Sequence, residues 1–390
     1  MSQRYDSGLS FIWRAPTKIV FGAGSAELEI QSELDELGIE RALLVTDTFL
    51  AGHEISAKVK AAMGRRLAGV FGEAVPDSGI SLIEKGADQA RRVNATGVVS
   101  IGGGSSIDTA KGIALLLAKG GRLRDYDGIN AVGSRIAPHL AIPTTAGTGS
   151  EVTYVAVVKD HEAGRKLLFA DWNLIPDTAL LDPALITGLP AAVTAHTGMD
   201  ALSHAIEAMH SLQREPIADG AALHAARLIE DNLLRCIQEP GDLTARGCMM
   251  IAANLAGAAF GNAQVGLVHA IAHTVGAKFG IPHGLANAIA LPHVIRHNAS
   301  TCPDVYKDVA LAMGLVDRNT PDPEAAEILA AHCESLSGKL GIEKRFRDTG
   351  VGEDALEELA GLTLEDGALV YNPRPTFDQE EILEIYKKAW

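Results

Sequence analysis

The 390-residue sequence predicts an N-terminal α/β domain followed by an all-helical C-terminal domain. In the first half, short apolar runs rich in β-branched residues alternate with segments of helical periodicity. Such alternation is typical of a parallel sheet covered by helices. Beyond about Pro190 the strand-like runs disappear, and alanine-rich helical periodicity continues to Trp390. The turn-forming residues 187–190 mark the change, so we expect domains over 1–188 and 189–390.

The elements of the first half follow from this periodicity. The expected strands are 42–45, 67–71, 98–101, 140–142, 152–158 and 166–169. Helical patterns over 26–37 and 80–93 separate several of them. The long charge-free stretch 247–277 is long enough to span a membrane, but it contains five glycines and polar residues such as Asn254 and His269. We therefore expect this stretch to be a helix buried in the protein core.

Composition and charge exclude some classes of partner. The formal net charge is −15, which argues against binding to nucleic acid or to an anionic membrane, since both require a basic surface. The four cysteines show no CxxC spacing, which favours reduced thiols, and the first residues contain no long apolar signal segment. These features predict a cytoplasmic protein.

Two loops at expected strand ends predict a dinucleotide site. Residues 102–106, Gly-Gly-Gly-Ser-Ser, lie between a strand and a helix start, where backbone N–H groups and the helix dipole bind phosphate. A plain capped turn is the alternative. Residues 143–151 supply three threonines, a serine and two glycines at the end of the next strand. Asp47 follows a third strand and could bind a ribose diol, which favours NAD over NADP, although Asp47 could equally be a helix N-cap.

Histidines concentrate in the helical half, where nine of the 13 lie between His196 and His297. Asp200 and His204 are four residues apart and face the same way on a helix, as do His269 and His273. With His283, they offer the nitrogen and oxygen ligands that suit Fe²⁺, Zn²⁺, Co²⁺ or Mn²⁺. Each histidine alone could be structural. Beside a dinucleotide site, a divalent metal predicts hydride transfer, with the metal polarising a hydroxyl or carbonyl oxygen.

The motifs together closely resemble those of the iron-containing (group III) alcohol dehydrogenases. The segments that carry the resemblance are 102–108, 143–151, 197–207, 266–273, 282–284 and 291–293. The resemblance implies an N-terminal Rossmann-like domain and a helical domain in the dehydroquinate synthase-like arrangement, with the site in the cleft between them. It implies an NAD(H)-dependent alcohol dehydrogenase or aldehyde reductase that acts on small primary alcohols or diols.

The resemblance also implies a role for individual residues. The implied metal ligands are Asp200, His204, His269 and His283, usually for Fe²⁺ and sometimes for Zn²⁺. His273 is then not a ligand but a participant in proton transfer beside the substrate. The implied cofactor-binding residues are Asp47, Gly103, Gly104, Ser105, Asp108, Thr144, Thr145, Thr148 and Lys166. Phe260 and Val155 are expected to line the substrate pocket.

Two other functions stay open at this point. One is a metal- and NAD-dependent lyase of the dehydroquinate-synthase type, which shares the architecture and uses NAD transiently. The other is a non-catalytic protein that binds NAD and metal. The resemblance further suggests a homodimer or a larger homo-oligomer.

Overall fold

The computed structural model describes residues 8–76, 78–160 and 165–390, and the side chains of Arg165 and Lys166 lie outside this description. The described strands are β1 (Lys18–Phe21), β2 (Ala42–Asp47), β3 (Leu67–Ala74), β4 (Gly97–Gly102), β5 (Gly128–Ile129), β6 (His139–Pro143), β7 (Val155–Asp160), β8 (Arg165–Ala170) and β9 (Thr178–Leu181). The N-terminal helices are α1 (Ser25–Leu28), α2 (Ile30–Glu36), α3 (Glu54–Met63), α4 (Ile80–Arg92) and α5 (Gly104–Lys119).

Six of these strands form a parallel sheet in the order β1-β9-β6-β4-β2-β3. The central strands β4 and β6 are buried at every residue, because helices cover both faces of the sheet. Their parallel register places Gly102 opposite Pro143, and β2 pairs with the other side of β4. The chain therefore leaves these strands at one edge of the sheet, which brings together the two loops and Asp47.

Two expected strands do not join this sheet. Strands β7 and β8 pair antiparallel and, with β5, form a separate three-stranded sheet in the order β5-β8-β7. The prediction that β7 and β8 belong to the parallel sheet was wrong, because a short apolar run does not reveal which strand it pairs with. The parallel sheet instead gains β1 and β9, two strands of four residues that the analysis did not predict.

The C-terminal half consists of helices around one apolar core. They are α6 (Ala191–His210), α7 (Pro216–Gln238), α8 (Leu243–Ala263), α9 (Leu267–Phe279), α10 (His283–Asn298), α11 (Pro303–Ala312), α12 (Asp322–Lys339), α13 (Leu356–Thr363) and α14 (Gln379–Ala389). The last strand ends at Leu181 and α6 begins at Ala191, on either side of the expected boundary. The exact boundary at residue 188 stays a prediction.

The charge-free stretch 247–277 is not one helix, as the sequence had suggested, but most of α8 followed by most of α9. The helical path stops at Gln264, which has a positive φ of 72°, and resumes after Gly266. Among the described residues, α8 is the one helix long and apolar enough to cross a membrane by length and composition, and 61% of its most apolar window is buried. The predicted metal ligand His269 belongs to α9.

Candidate active site

The glycine turn after β4 is open to a ligand because side chains are absent from it. Gly102 has a φ of +149°, and a Cβ there would lie 2.6 Å from the Cβ of Ser106. Gly103 is the N-cap of α5, and a Cβ on Gly104 would lie 2.9 Å from a methyl carbon of Thr148. The turn therefore packs directly against residues 143–151, called the threonine loop below, and the first N–H groups of α5 have no partner within the helix.

The threonine loop extends the surface that the glycine turn forms, and the two together are called the cradle below. The Thr144 N–H donates to the Gly102 carbonyl at 2.9 Å, which fixes the loop to the glycine turn. A Cβ on Gly103 would lie 3.3 Å from the Thr145 hydroxyl oxygen. Ser105, at the second position of α5, is exposed. These predicted cofactor residues thus form one surface at the carboxyl ends of β4 and β6.

Asp47 borders the same surface. Its Oδ1 accepts the Leu50 N–H at 2.8 Å and holds the turn after β2, but Phe49 rather than Asp47 is the N-cap of the 3₁₀ helix that follows. Its Oδ2 faces the glycine turn, because a Cβ on Gly102 would lie 3.6 Å from it. One oxygen thus holds the local turn while the other faces the cradle.

Asp108 lies behind the cradle rather than in it. Its Oδ1 accepts a hydrogen bond from the Ser150 hydroxyl, and its Oδ2 accepts the Val157 N–H at 3.1 Å. Lys111, which the sequence analysis missed, is fully buried one turn further along α5 and donates to the Thr153 carbonyl at 2.9 Å. Burial lowers the pKa of the Lys111 ammonium. This pair holds the threonine loop against α5 and supports a positioning role for Asp108.

The two remaining cofactor and pocket residues of the N-terminal half belong to the antiparallel pair β7 and β8. Val155 begins β7, and its carbonyl accepts from Lys111 at 2.7 Å. Lys166 is paired through its backbone with Lys159, but its side chain lies outside the described part of the chain.

The predicted metal ligands converge from three helices of the C-terminal domain. Helix α6 carries Asp200 and His204, α9 carries His269, and α10 begins at His283. The Nε2 atoms of the three histidines lie 4.0, 3.9 and 3.6 Å, respectively, from Asp200 Oδ1. Asp200, His269 and His283 each offer one ligand atom within 4.8 Å of the others. Asp200 and two of the histidines are almost fully buried, whereas the His283 side chain is 41% exposed.

One amide nitrogen lies within hydrogen-bond distance of three ligand atoms, so these atoms face a common point. The Asn287 amide nitrogen, one turn after His283 on α10, donates to Asp200 Oδ1 at 2.7 Å. The same nitrogen lies 3.2 Å from His283 Nε2 and 3.4 Å from His269 Nε2. In addition, the buried His204 Nδ1 has no hydrogen-bond partner among the described residues. A carboxylate and two imidazoles around one point fit a divalent cation, and the predicted ligand His204 lies outside this group of three, with its Nε2 4.0 Å from Asp200 Oδ1.

Two carboxylates orient the two histidines of α9. Glu207 of α6 is fully buried and forms a short hydrogen bond with His269 Nδ1. Asp366 accepts from His273 Nδ1 at 2.9 Å and also accepts the Ala368 N–H at 2.9 Å. The His273 ring stacks on that of His283 with centroids 5.5 Å apart. His273 therefore lies beside the ligand cluster, and its role in proton transfer stays a prediction.

Phe260 of α8 closes one side of the cluster. Its ring stacks on that of His204 with centroids 4.2 Å apart and an interplanar angle of 15°. This contact places a flat apolar surface beside the ligands, as expected of a substrate-pocket wall. For Val155, the described hydrogen bonds lead to Lys111 and the β-strands rather than to the ligand cluster.

The two halves of the site meet at the threonine loop. A Cβ on Gly147 would lie 2.7 Å from the Thr197 Cβ, one turn before Asp200 on α6. Gly149, with a φ of +61°, touches α8, since a Cβ there would lie 2.6 Å from the Gly257 Cα. Glycine is required at both positions because the backbones come into direct contact. The cofactor cradle thus adjoins the helices that carry the metal ligands and Phe260.

Comparison with known proteins decides the family. Residues 16–183 match the description "Iron-containing alcohol dehydrogenase", and residues 194–390 match "Fe-containing alcohol dehydrogenase family, C-terminal". The chain belongs to the iron-containing alcohol dehydrogenase family. It is 38% identical over 378 residues to the NAD-dependent methanol dehydrogenase of Bacillus methanolicus, covering 96% of this chain and 98% of that protein.

Two further relatives extend the comparison. The lactaldehyde reductase of Escherichia coli K12 is 35% identical over 374 residues, with 95% of this chain and 97% of that protein covered. The crystal structure of a 1,3-propanediol oxidoreductase superimposes with a TM-score of 0.95 at 36% identity, covering 98% of this chain and all of that one. The fold class, the enzyme class and the pairing of NAD with an iron-family metal site, all predicted from the sequence, are thereby confirmed. This iron-containing alcohol dehydrogenase is an oxidoreductase that acts on CH–OH groups.

Besides Lys111, three residues around the metal ligands of this alcohol dehydrogenase were not predicted from the sequence. Glu207 could have been found, because residues 200, 204 and 207 share one face of a helix. Asn287 could have been found in the same way, four residues after His283. Asp366 has no such signal, since it is 93 residues from the histidine that it contacts.

Proposed function

We propose that this enzyme transfers a hydride between the nicotinamide of NAD(H) and the carbinol carbon of a small primary alcohol or diol. The observation that carries the proposal is the contact between the threonine loop and helix α6, where Gly147 packs on Thr197 one turn before Asp200. A cofactor in the cradle and an alcohol at the metal ligands would then be neighbours, and such positioning supplies much of the catalysis.

The proposed metal ligands are Asp200, His204, His269 and His283. When bound there, a divalent metal supplies Lewis-acid polarisation of the substrate oxygen. Phe260 excludes water on one side of the oxygen site, since its ring covers that of His204. His273 Nε2 exchanges the hydroxyl proton with solvent while Asp366 holds Nδ1, and the 37% exposure of the His273 side chain supports such exchange.

The proposed cofactor site uses the cradle described above, with the pyrophosphate at Gly103, Gly104 and Ser105. Thr144, Thr145, Thr148 and Lys166 are proposed as further contacts, and Asp108 as the residue that positions the loop. Asp47 Oδ2 would accept from the ribose diol and would repel a 2′-phosphate. Replacing Asp47 with Gly is expected to raise kcat/KM for NADPH relative to NADH, and an unchanged ratio would refute this role.

The substrate class follows from the pocket and the relatives. Relatives named for methanol, 1,3-propanediol and lactaldehyde share nearly the whole chain, and all three names denote small oxygen-containing molecules. Val155 is a small apolar residue where we propose that the pocket ends. The deciding experiment is a screen of NADH oxidation over small aldehydes, with Fe²⁺ and Zn²⁺ reconstituted separately. Activity that needs neither metal, or that forms no net NAD⁺, would contradict the proposal.

We further propose that the enzyme is a cytoplasmic homo-oligomer without nucleic-acid or membrane partners. Strand β1 is an edge of the parallel sheet, and its Ile19 is 42% exposed. Leu9, Phe11 and Ile12 of the preceding segment are also exposed, and apolar residues beside an open strand edge favour pairing with a second copy. Light scattering should give at least twice the monomer mass, and Ile19→Lys should lower it.

A further inference from the structure

Glu207 lies directly beside the ligand cluster and contacts His269, one of its members. It lies on α6 one turn after His204, and residues 200, 204 and 207 form one stripe along that helix. Its side chain is completely buried, and burial raises the pKa of the carboxyl, against the influence of His210 and two backbone N–H groups. A buried carboxylate needs compensating donors, so the groups around it indicate what it does.

Those donors come from a single helix. Glu207 Oε1 accepts the N–H groups of Gly266 and Val268 at 3.0 and 2.8 Å, which are otherwise unpaired donors at the start of α9. Oε2 forms the short hydrogen bond with His269 Nδ1. Glu207 therefore fixes both the start of α9 and the ring of its first histidine to α6.

The hydrogen bond determines which imidazole nitrogen carries the proton. The two backbone N–H groups that donate to Glu207 favour its ionised form, which can only accept, so His269 Nδ1 donates and Nε2 keeps its lone pair. That Nε2 lies 3.9 Å from Asp200 Oδ1, on the side of the ligand cluster. We propose that Glu207 is a positioning residue that sets the tautomer and ring orientation of His269 for metal binding. This inference rests on the metal site of the proposed function.

Glu207→Gln tests the tautomer with little change of shape. The glutamine carbonyl can still accept both N–H groups at the start of α9, so the helix should stay in place. Its NH₂ group would then donate to His269 Nδ1, which forces the proton onto Nε2 and directs an N–H group at the metal. We expect a folded protein whose affinity for metal is reduced about 10- to 100-fold.

The experiment measures Kd for Zn²⁺ and Co²⁺ by chelator competition with the full-length protein. The visible absorption of bound Co²⁺, which reports ligand geometry, should also change in Glu207→Gln. Asp366→Asn makes the matched change behind His273 and should leave both Kd values unchanged. Glu230→Gln is a remote control, because Glu230 contacts His332 at 2.7 Å in a half-buried pair between α7 and α12, and it should alter neither affinity nor activity.

The outcomes separate this inference from the proposed function. If the wild-type protein binds neither Zn²⁺ nor Co²⁺, the proposed metal site itself is wrong. Wild-type binding with an equal Kd in Glu207→Gln overturns the role of Glu207 alone. If Glu207→Gln fails to fold, ¹⁵N spectra of the histidine rings in the Zn²⁺-loaded wild type decide instead. A proton on His269 Nδ1 is expected, and a proton on Nε2 would refute the inference.

Discussion

Helix α9 carries two histidines one turn apart, and each has a carboxylate at Nδ1, yet their surroundings differ. The side chains of His269 and Glu207 are 4% and 0% exposed, whereas those of His273 and Asp366 are 37% and 21% exposed. Burial raises the pKa of Glu207. For Asp366, burial opposes ionisation, but the hydrogen bond and charge of His273 hold the pKa below its ordinary value.

The difference in burial suits the two histidine–carboxylate pairs to different proposed roles, metal binding for His269 and proton transfer for His273. Burial also lowers the pKa of His269 far below its usual range, which keeps its ring neutral. A neutral, immobilised imidazole is a good metal ligand. His273 lies at the edge of the cluster, where a proton can reach solvent. On α9, solvent access rather than the type of residue therefore distinguishes the proposed ligand His269 from His273, the residue proposed for proton transfer, although His283, another proposed ligand, is 41% exposed.

The largest expected effect comes from removing each ring in turn. His269→Ala should abolish stoichiometric metal binding and reduce turnover to background, because one of four ligands is lost. His273→Ala should retain the metal but lower kcat about 100-fold, since proton transfer by a positioned side chain contributes that much. Metal content by mass spectrometry, together with kcat for aldehyde reduction, distinguishes the two variants. Metal loss in His273→Ala with retention in His269→Ala would reverse our assignment.

A smaller effect is expected when only the carboxylate of the exposed pair is changed. Asp366→Asn keeps the shape but lets the new amide donate to His273 Nδ1, which places the proton on Nε2. We expect kcat to fall about 10-fold with a nearly unchanged KM, and the pH dependence of kcat to shift because the proton acceptor is altered. Full activity with an unchanged pH profile would show that Asp366 does not act through His273.

The sequence predicted both histidines of this comparison but neither carboxylate, although Glu207 of the buried pair could have been found from helical spacing. Asp200, His204 and His269 follow helical spacing, and Glu207 continues the same stripe. The link from His273 to Asp366 depends on how the segment after α13 packs against α9, and no local pattern encodes such packing.

The fold shows the same division between local and non-local information. Six of the nine described strands followed from apolar runs, whereas the short strands β1, β5 and β9 were missed, and the cradle at the ends of β4 and β6 followed from glycine and threonine content. The pairing of β7 with β8 in a second sheet could not be predicted, since both strands were recognised but their partners are set by tertiary contacts. The break between α8 and α9 was missed because Gln264 gives no warning of a positive φ.

The smallest expected effect concerns the free energy of unfolding of the metal-free protein as a function of pH. Asp366 and Glu207 should change this free energy in opposite directions as the pH rises. The folded pKa of Asp366 lies below its ordinary value of 3.8, so the unfolded chain binds that proton more readily. Its stabilisation is present above pH 3.8 and is lost as the pH falls through the folded pKa. Glu207 has a folded pKa above 4.5, so ionising it costs stability as the pH rises beyond that value. Below about pH 4, urea midpoints of Asp366→Asn should lose a rise with pH worth about 1 kcal/mol or less, and above about pH 4.5 those of Glu207→Gln should lose a fall. The same sign of change in both variants would contradict the contrast between the buried and the exposed pair.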